Sequence, residues 1–209
     1  YIHFFNGSTP SGLSLSSAGD AACASSSSSG GTASGSVAGT WAACAGSSVE
    51  YRVGEVLLGQ NATAVGRTSS VSGHLVINGT TLTTASFSVP MDTIHSDKSQ
   101  RDAQFDGRIM DVAQYPTGTF TLTSPISLAP LPAQGVIKDY SAHGDLTLRG
   151  TTRPVTFTLT AERKGAQIDV AGSITVVFAD WNIQNPSVGG FVTTQNDGQL
   201  QFLLLFDKS

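Results

Sequence analysis

Tyr140-Ser141-Ala142-His143-Gly144-Asp145-Leu146-Thr147-Leu148-Arg149-Gly150-Thr151-Thr152-Arg153-Pro154-Val155-Thr156-Phe157-Thr158-Leu159 is the stretch that decides the fold. Apolar or small residues fall at Tyr140, Ala142, Gly144, Leu146 and Leu148, with polar residues between most of them. After Arg149-Gly150-Thr151 the alternation resumes at Val155, Phe157 and Leu159. A period of two sends one set of side chains to one face of an extended strand. Glycine at the break supplies the backbone freedom of a tight turn. The stretch predicts a β-hairpin with one apolar face.

The same period spreads in both directions. Val49, Tyr51 and Val53 alternate with polar neighbours, as do Val71, Gly73, Leu75 and Ile77, then Ala85, Phe87, Val89 and Met91. Phe120 and Leu122 follow. Beyond the hairpin come Ile168, Val170, Gly172, Ile174, Val176 and Phe178, and finally Leu200, Phe202, Leu204 and Phe206. Turn signals stand at Asn78-Gly79, Lys164-Gly165 and Asn196-Asp197-Gly198. This gives eight one-sided strands. Asp97 to Phe105 is charged and poor in β-branched residues, and predicts a helical turn or two capped by Ser96 or Asp97. A second short helix is expected from Gly107 to Ala113. Eight antiparallel strands favour an up-and-down barrel or a sandwich. A barrel of that size can enclose one small ligand. Gly73, Gly144 and Gly172, set inside the stripes, leave room for wall bending or for a guest.

Composition narrows the function. The chain has 209 residues, 11 Lys+Arg, 15 Asp+Glu and a formal net charge of −4, with only 12% charged residues. Nucleic-acid binding needs a basic stripe that this chain lacks. No apolar run reaches the length of a membrane-spanning helix. Two cysteines are too few for a disulfide scaffold. The first 40 residues are a different material: Ser25 to Ser29 is unbroken serine, and glycine and serine continue to Gly39. Residues 1–40 therefore read as a flexible arm and 41–209 as the barrel. Tyr1-Ile2-His3-Phe4-Phe5 is too short to span a bilayer, and reads as the end of a removed anchor, a small docked strand or an expression remnant.

Several further motifs resemble a known family. They are Ser88-Val89-Pro90-Met91-Asp92-Thr93-Ile94, then Arg101-Asp102 with Phe105, Tyr115-Pro116, Thr119-Phe120, and above all Gly144 to Val155. Asp180-Trp181-Asn182-Ile183 adds to the series. Over about residues 41 to 206 the chain resembles the YceI-like family. The resemblance implies an eight-stranded, lipocalin-like antiparallel barrel outside the cytoplasm, secreted, periplasmic or anchored to the outer face of the cytoplasmic membrane. It implies non-enzymatic binding of a long isoprenoid lipid or isoprenoid quinone in an apolar tunnel, for transport or storage. Many members carry a histidine near the end of the first barrel strand, where this chain has Glu55, so that residue's role does not carry over.

Each constellation has two readings. Phe87, Val89, Met91, Phe120, Leu122, Leu146, Leu148, Phe157, Phe178 and Phe202 line a lipid tunnel, or they fill an ordinary core. The filled barrel would serve as an interaction module beside a membrane-protein partner; a homodimer is the other partner considered. Arg101 meets a polar headgroup, or forms with Asp102 a pair that pins the helical segment. Arg149 and Arg153 are expected on a solvated turn. His74 and His143 should face solvent, His95 lies nearest an opening, and His3 stands in the arm. Their spacing fits no metal motif, so no metal, cofactor or catalytic residue is assigned. Asp92, Asp97, Asp102, Asp106 and Asp111 read as a solvated face. Cys23 and Cys44 are expected to form a disulfide tethering the arm, with acylation of Cys23 as the alternative. Asn6, Asn61 and Asn78 sit in chance glycosylation patterns.

Overall fold

The computed structural model describes residues 10–19, 23, 36–190 and 192–209. Tyr1–Phe5, Asn6 and the Ser25–Ser29 run lie outside the described residues. The chain is a meander of eight antiparallel strand positions closed into a barrel. β1 is Gly39–Ala43 continued by Ser48–Leu57, and β2 is Gln60–Thr68 continued by Ser72–Asn78. β3 is Thr81–Pro90, and β4 is Thr117–Leu122 continued by Ile126–Ser127. β5 Lys138–Leu148, β6 Thr151–Lys164, β7 Gln167–Val177 and β8 Asp197–Lys208 complete the ring. The opening hairpin is one bent pair. Gly39 faces Ile77 in one half and Val49 faces Thr68 in the other, so both strands break together. β8 closes onto β1 through Lys208↔Trp41 at one end and Gln199↔Arg52 at the other.

All eight stripes read from sequence fall on strands apart from three end residues: Val71 stands just before its strand, and Met91 and Phe178 each begin a 3₁₀ turn. Gln60–Thr68 carried no readable stripe, because its inward positions are Ala62, Ala64 and Gly66. The helical segment also differs from expectation. α1 is a single turn, Leu15–Ala18, in the arm. α2, Ser99–Gln104, is entered from Lys98 without a side-chain cap. It runs straight into a π-helical turn at Phe105–Ile109, so the separate helix expected over 107–113 is absent. Asp102 explains why Ser96 lies outside the helix. Its Oδ1 takes the Ser96 amide at 2.8 Å and hydroxyl at 2.6 Å, which holds the approach chain extended.

Two layers of apolar contact result. The inner one is the barrel interior. The outer one is small: Leu15, Ala18 and Cys23 bury Ala171, Leu203 and Leu205 against the outside of β7 and β8. Polar clamps fix the strap in place. Arg52 and Arg67 share Glu50, which is fully buried, and donate onward to the carbonyls of Pro10 and Ser11. The Leu13 amide donates to Gln201 Oε1 at 3.1 Å, and the Cys23 amide to Gln167 Oε1 at 2.9 Å. Cys23 and Cys44 form a disulfide with their Cα atoms 5.5 Å apart, a normal span. Residues 10–19, within the segment expected to be a flexible arm, are thus packed on the wall.

Candidate functional site

The barrel is hollow. A cavity of about 530 Å³ runs inside it, within the ~300–1,000 Å³ range of small-molecule sites. Its wall extends along β8 from Gly198 to Phe206. Eight residue steps in a tilted strand correspond to roughly 20 Å along the barrel axis. All eleven residues singled out from sequence, Phe87, Val89, Met91, Arg101, Phe120, Leu122, Leu146, Leu148, Phe157, Phe178 and Phe202, line it. The filled-core alternative does not hold. Phe87, Phe120, Phe157 and Leu200 point inward yet are only partly buried, because they face open space.

The glycines inside the stripes explain the opening, though not as expected. Their space is taken by rings. A Cβ on Gly172 would lie 2.5 Å from Cζ of Phe202, its partner across the β7–β8 pair. Gly73 faces Phe87 in the same way, Gly66 faces Tyr51, and Gly144 lies under Phe120. Each aromatic side chain therefore lies flat against the wall instead of crossing the lumen. Edge-to-face contacts at 5.5 Å (Phe120–Phe157) and 5.7 Å (Phe157–Phe202) join Phe120, Phe157 and Phe202 into one apolar band.

One end of the cavity is covered by α2 and its π turn together with the loop at residues 183–188 and the short strand Val192–Thr194, which pairs with β1. Spacing along the chain does not reveal that shared cover. Arg108 ties the two, donating to the carbonyls of Asn185 and Pro186. Asn185 holds the loop's own shape through Thr194, Asn196 and Ser187. Polar lining groups gather under this cover: Glu55, Gln100, Arg101 and Gln104. Arg101 does not pair with Asp102. Its Nη1 donates to Asp97 and its Nη2 to Glu55 at 3.3 Å, so Glu55 is tied to α2. Tyr51 stacks on Phe105 with ring centroids 5.1 Å apart. Burial pushes its hydroxyl up to about 12, with Arg101 opposing and Asp102, Glu55 and Asp97 adding to the rise. Burial, reinforced by Asp102, also raises the Asp106 carboxyl.

The remaining candidates stand elsewhere. His74 and His143 are exposed on the outside. His95 lies 3.7 Å from Asp102. Arg149 and Arg153 are not merely turn charges, since they donate to the carbonyls of Asn182 and Asp180 and hold down the Phe178–Trp181 turn. Trp181 in that turn donates to the Leu146 carbonyl at 3.1 Å and seals the wall. At the opposite end the cavity reaches Leu128, Leu131 and Pro132, and Leu131 is also 42% exposed to solvent.

Comparison with known proteins agrees with this architecture. A polyisoprenoid binding domain from Saccharophagus degradans, implicated in plant cell wall breakdown, has the same fold with a TM-score of 0.67. It is 15% identical, and the match covers 82% of this chain and 99% of that one. BcnA from Burkholderia cenocepacia matches with a TM-score of 0.57 at 20% identity, over 74% of this chain and 95% of that one. No curated protein matches the chain. The family model for the YceI-like domain matches residues 42–206, from β1 to near the end of β8, and the chain belongs to the YceI-like family.

Proposed function

We propose that the protein binds a long isoprenoid lipid or isoprenoid quinone in this cavity, without catalysis, and carries or stores it outside the cytoplasm. The observation that carries the reading is the unbroken apolar lumen, kept open by rings seated over glycines. A hydrocarbon tail gains about 0.8 kcal/mol per buried CH₂, so a long one needs no charged lining, although ordering costs limit the net affinity. The Saccharophagus neighbour, described as polyisoprenoid binding, supports the same ligand class. The tail lies along Phe120, Phe157 and Phe202, and the headgroup meets the Arg101 end. The Cys23–Cys44 disulfide suits an oxidising compartment.

Organic extraction of the purified protein followed by mass spectrometry tests this. Near-stoichiometric recovery of a long-chain isoprenoid is expected. Leu146→Arg, which puts a cation into the lumen wall, should reduce that recovery at least tenfold while the circular dichroism spectrum stays β-rich. A clean extract, together with failure of the stripped protein to take up any prenyl lipid, overturns the reading.

A further inference from the structure

Resting on that reading, we infer that the Tyr51–Glu55–Arg101 end of the cavity seats an uncharged headgroup bearing a hydroxyl or carbonyl, and rejects a diphosphate. The argument begins with Arg101, the guanidinium that lines the cavity under the cover. A diphosphate seat needs a cation whose charge is available. Here two carboxylates already share that cation, Asp97 on Nη1 and Glu55 on Nη2. The Glu55 side chain is only 10% exposed, so its charge is poorly screened and faces the same space a headgroup would enter.

The surroundings do not restore a positive field. Between Asp92 and Asp111 the chain carries five aspartates against Lys98, Arg101 and Arg108. Arg108 does not line the cavity; its donors are directed to Gln104 and to the carbonyls of Asn185 and Pro186. Lys98 stands 3.7 Å from Asp97. A multiply charged headgroup would leave water for a pocket whose nearest balance is negative.

A neutral oxygen meets the opposite conditions. Tyr51 lines the cavity at this end, stacked on Phe105 and seated over Gly66. Its hydroxyl makes no hydrogen bond to a described residue, so it is a donor free for a ligand oxygen. Gln100 and Gln104 add amide donors and acceptors beside it. Arg101 keeps further N–H groups beyond the two in use, enough to donate to a carbonyl without a net charge to attract an anion. The match is a prenol, a phenol or a quinone.

Stripped protein is titrated with geranylgeraniol and with geranylgeranyl diphosphate, two probes with one tail, each below its aggregation concentration, using displacement of a fluorescent apolar probe. The alcohol should bind at least tenfold more tightly. In Glu55→Gln the gap should shrink at least fivefold, mainly because the diphosphate binds better. In Tyr51→Phe the alcohol should lose about threefold and the diphosphate should stay the same. Equal or tighter binding of the diphosphate by the unaltered protein overturns the inference, and so does an unchanged gap in a folded Glu55→Gln variant. Binding of neither probe removes the isoprenoid reading itself, and this inference with it.

Discussion

Across residues 202–206 β8 is apolar on both faces, and the two faces do opposite things. Leu200, Phe202, Leu204 and Phe206 point inward and line the cavity, Leu200 being only partly buried there. Leu203 and Leu205 point outward, yet they are 3% and 0% exposed, because Leu15, Ala18 and Cys23 cover them. One face is left underfilled and the other is packed like a core. Interiors of stable proteins are close-packed, so stability is expected where packing is complete. The outer strap supplies rigidity that the inner face gives up to hold a guest.

Truncation at equivalent depth should expose that asymmetry most strongly. Leu205→Ala removes a side chain closed in on every side and should cost about 3 kcal/mol. Leu200→Ala only enlarges a void that already exists, and should cost about 1 kcal/mol in lipid-free protein. Denaturant unfolding of the two variants measures the difference. Equal losses would mean that the inner face is packed as tightly as the outer. Added isoprenoid should raise the cost of Leu200→Ala and leave that of Leu205→Ala alone.

Glycine seating gives the next contrast. At Gly172 a methyl group would meet the Phe202 ring, so Gly172→Ala must drive that ring into the lumen. We expect a stability loss of about 2 kcal/mol from overpacking, with lipid capacity reduced severalfold. Gly165 has open space around it and serves as the control position for space alone, since its positive φ strains an alanine without touching the lumen. Capacity that survives Gly172→Ala unchanged would show that the ring is not what keeps the barrel open.

The inner face was legible in the sequence because one-sided alternation depends only on local period. The stripes from Val49 to Phe206 named the lining, and the Gly144 to Val155 motif named the family. The outer face was harder. Leu203-Leu204-Leu205 breaks the alternation, and three adjacent leucines in a strand signal cover on both sides. The cover itself comes from Leu15 and Ala18, far away in sequence and embedded in a serine-rich stretch. Gln60–Thr68 was hidden because Ala62, Ala64 and Gly66 make no apolar stripe. The partners of Arg101 were also beyond reach. Glu55 lies 46 residues away and meets it only because α2 folds back over the end of the β1–β2 hairpin. Spacing along the chain carries no trace of that.

Tyr51 tests the same contrast through pH, with the smallest effect. Tyr51 lines the lumen, and burial pushes its hydroxyl up to about 12 from an ordinary 10.0. The folded state therefore holds the phenolic proton more tightly than the unfolded chain. The associated stability is complete below about pH 10, falls between 10 and 12, and is gone above the folded value. At pH 11 the shift amounts to about 1 kcal/mol. Tyr51→Phe has no proton to lose, so the gap in melting temperature between it and the unaltered protein should move in the variant's favour from pH 9 to pH 11. Parallel melting curves across that range would mean that the Tyr51 hydroxyl is open to water, and that the covered end of the lumen is no drier than the rim at Leu131.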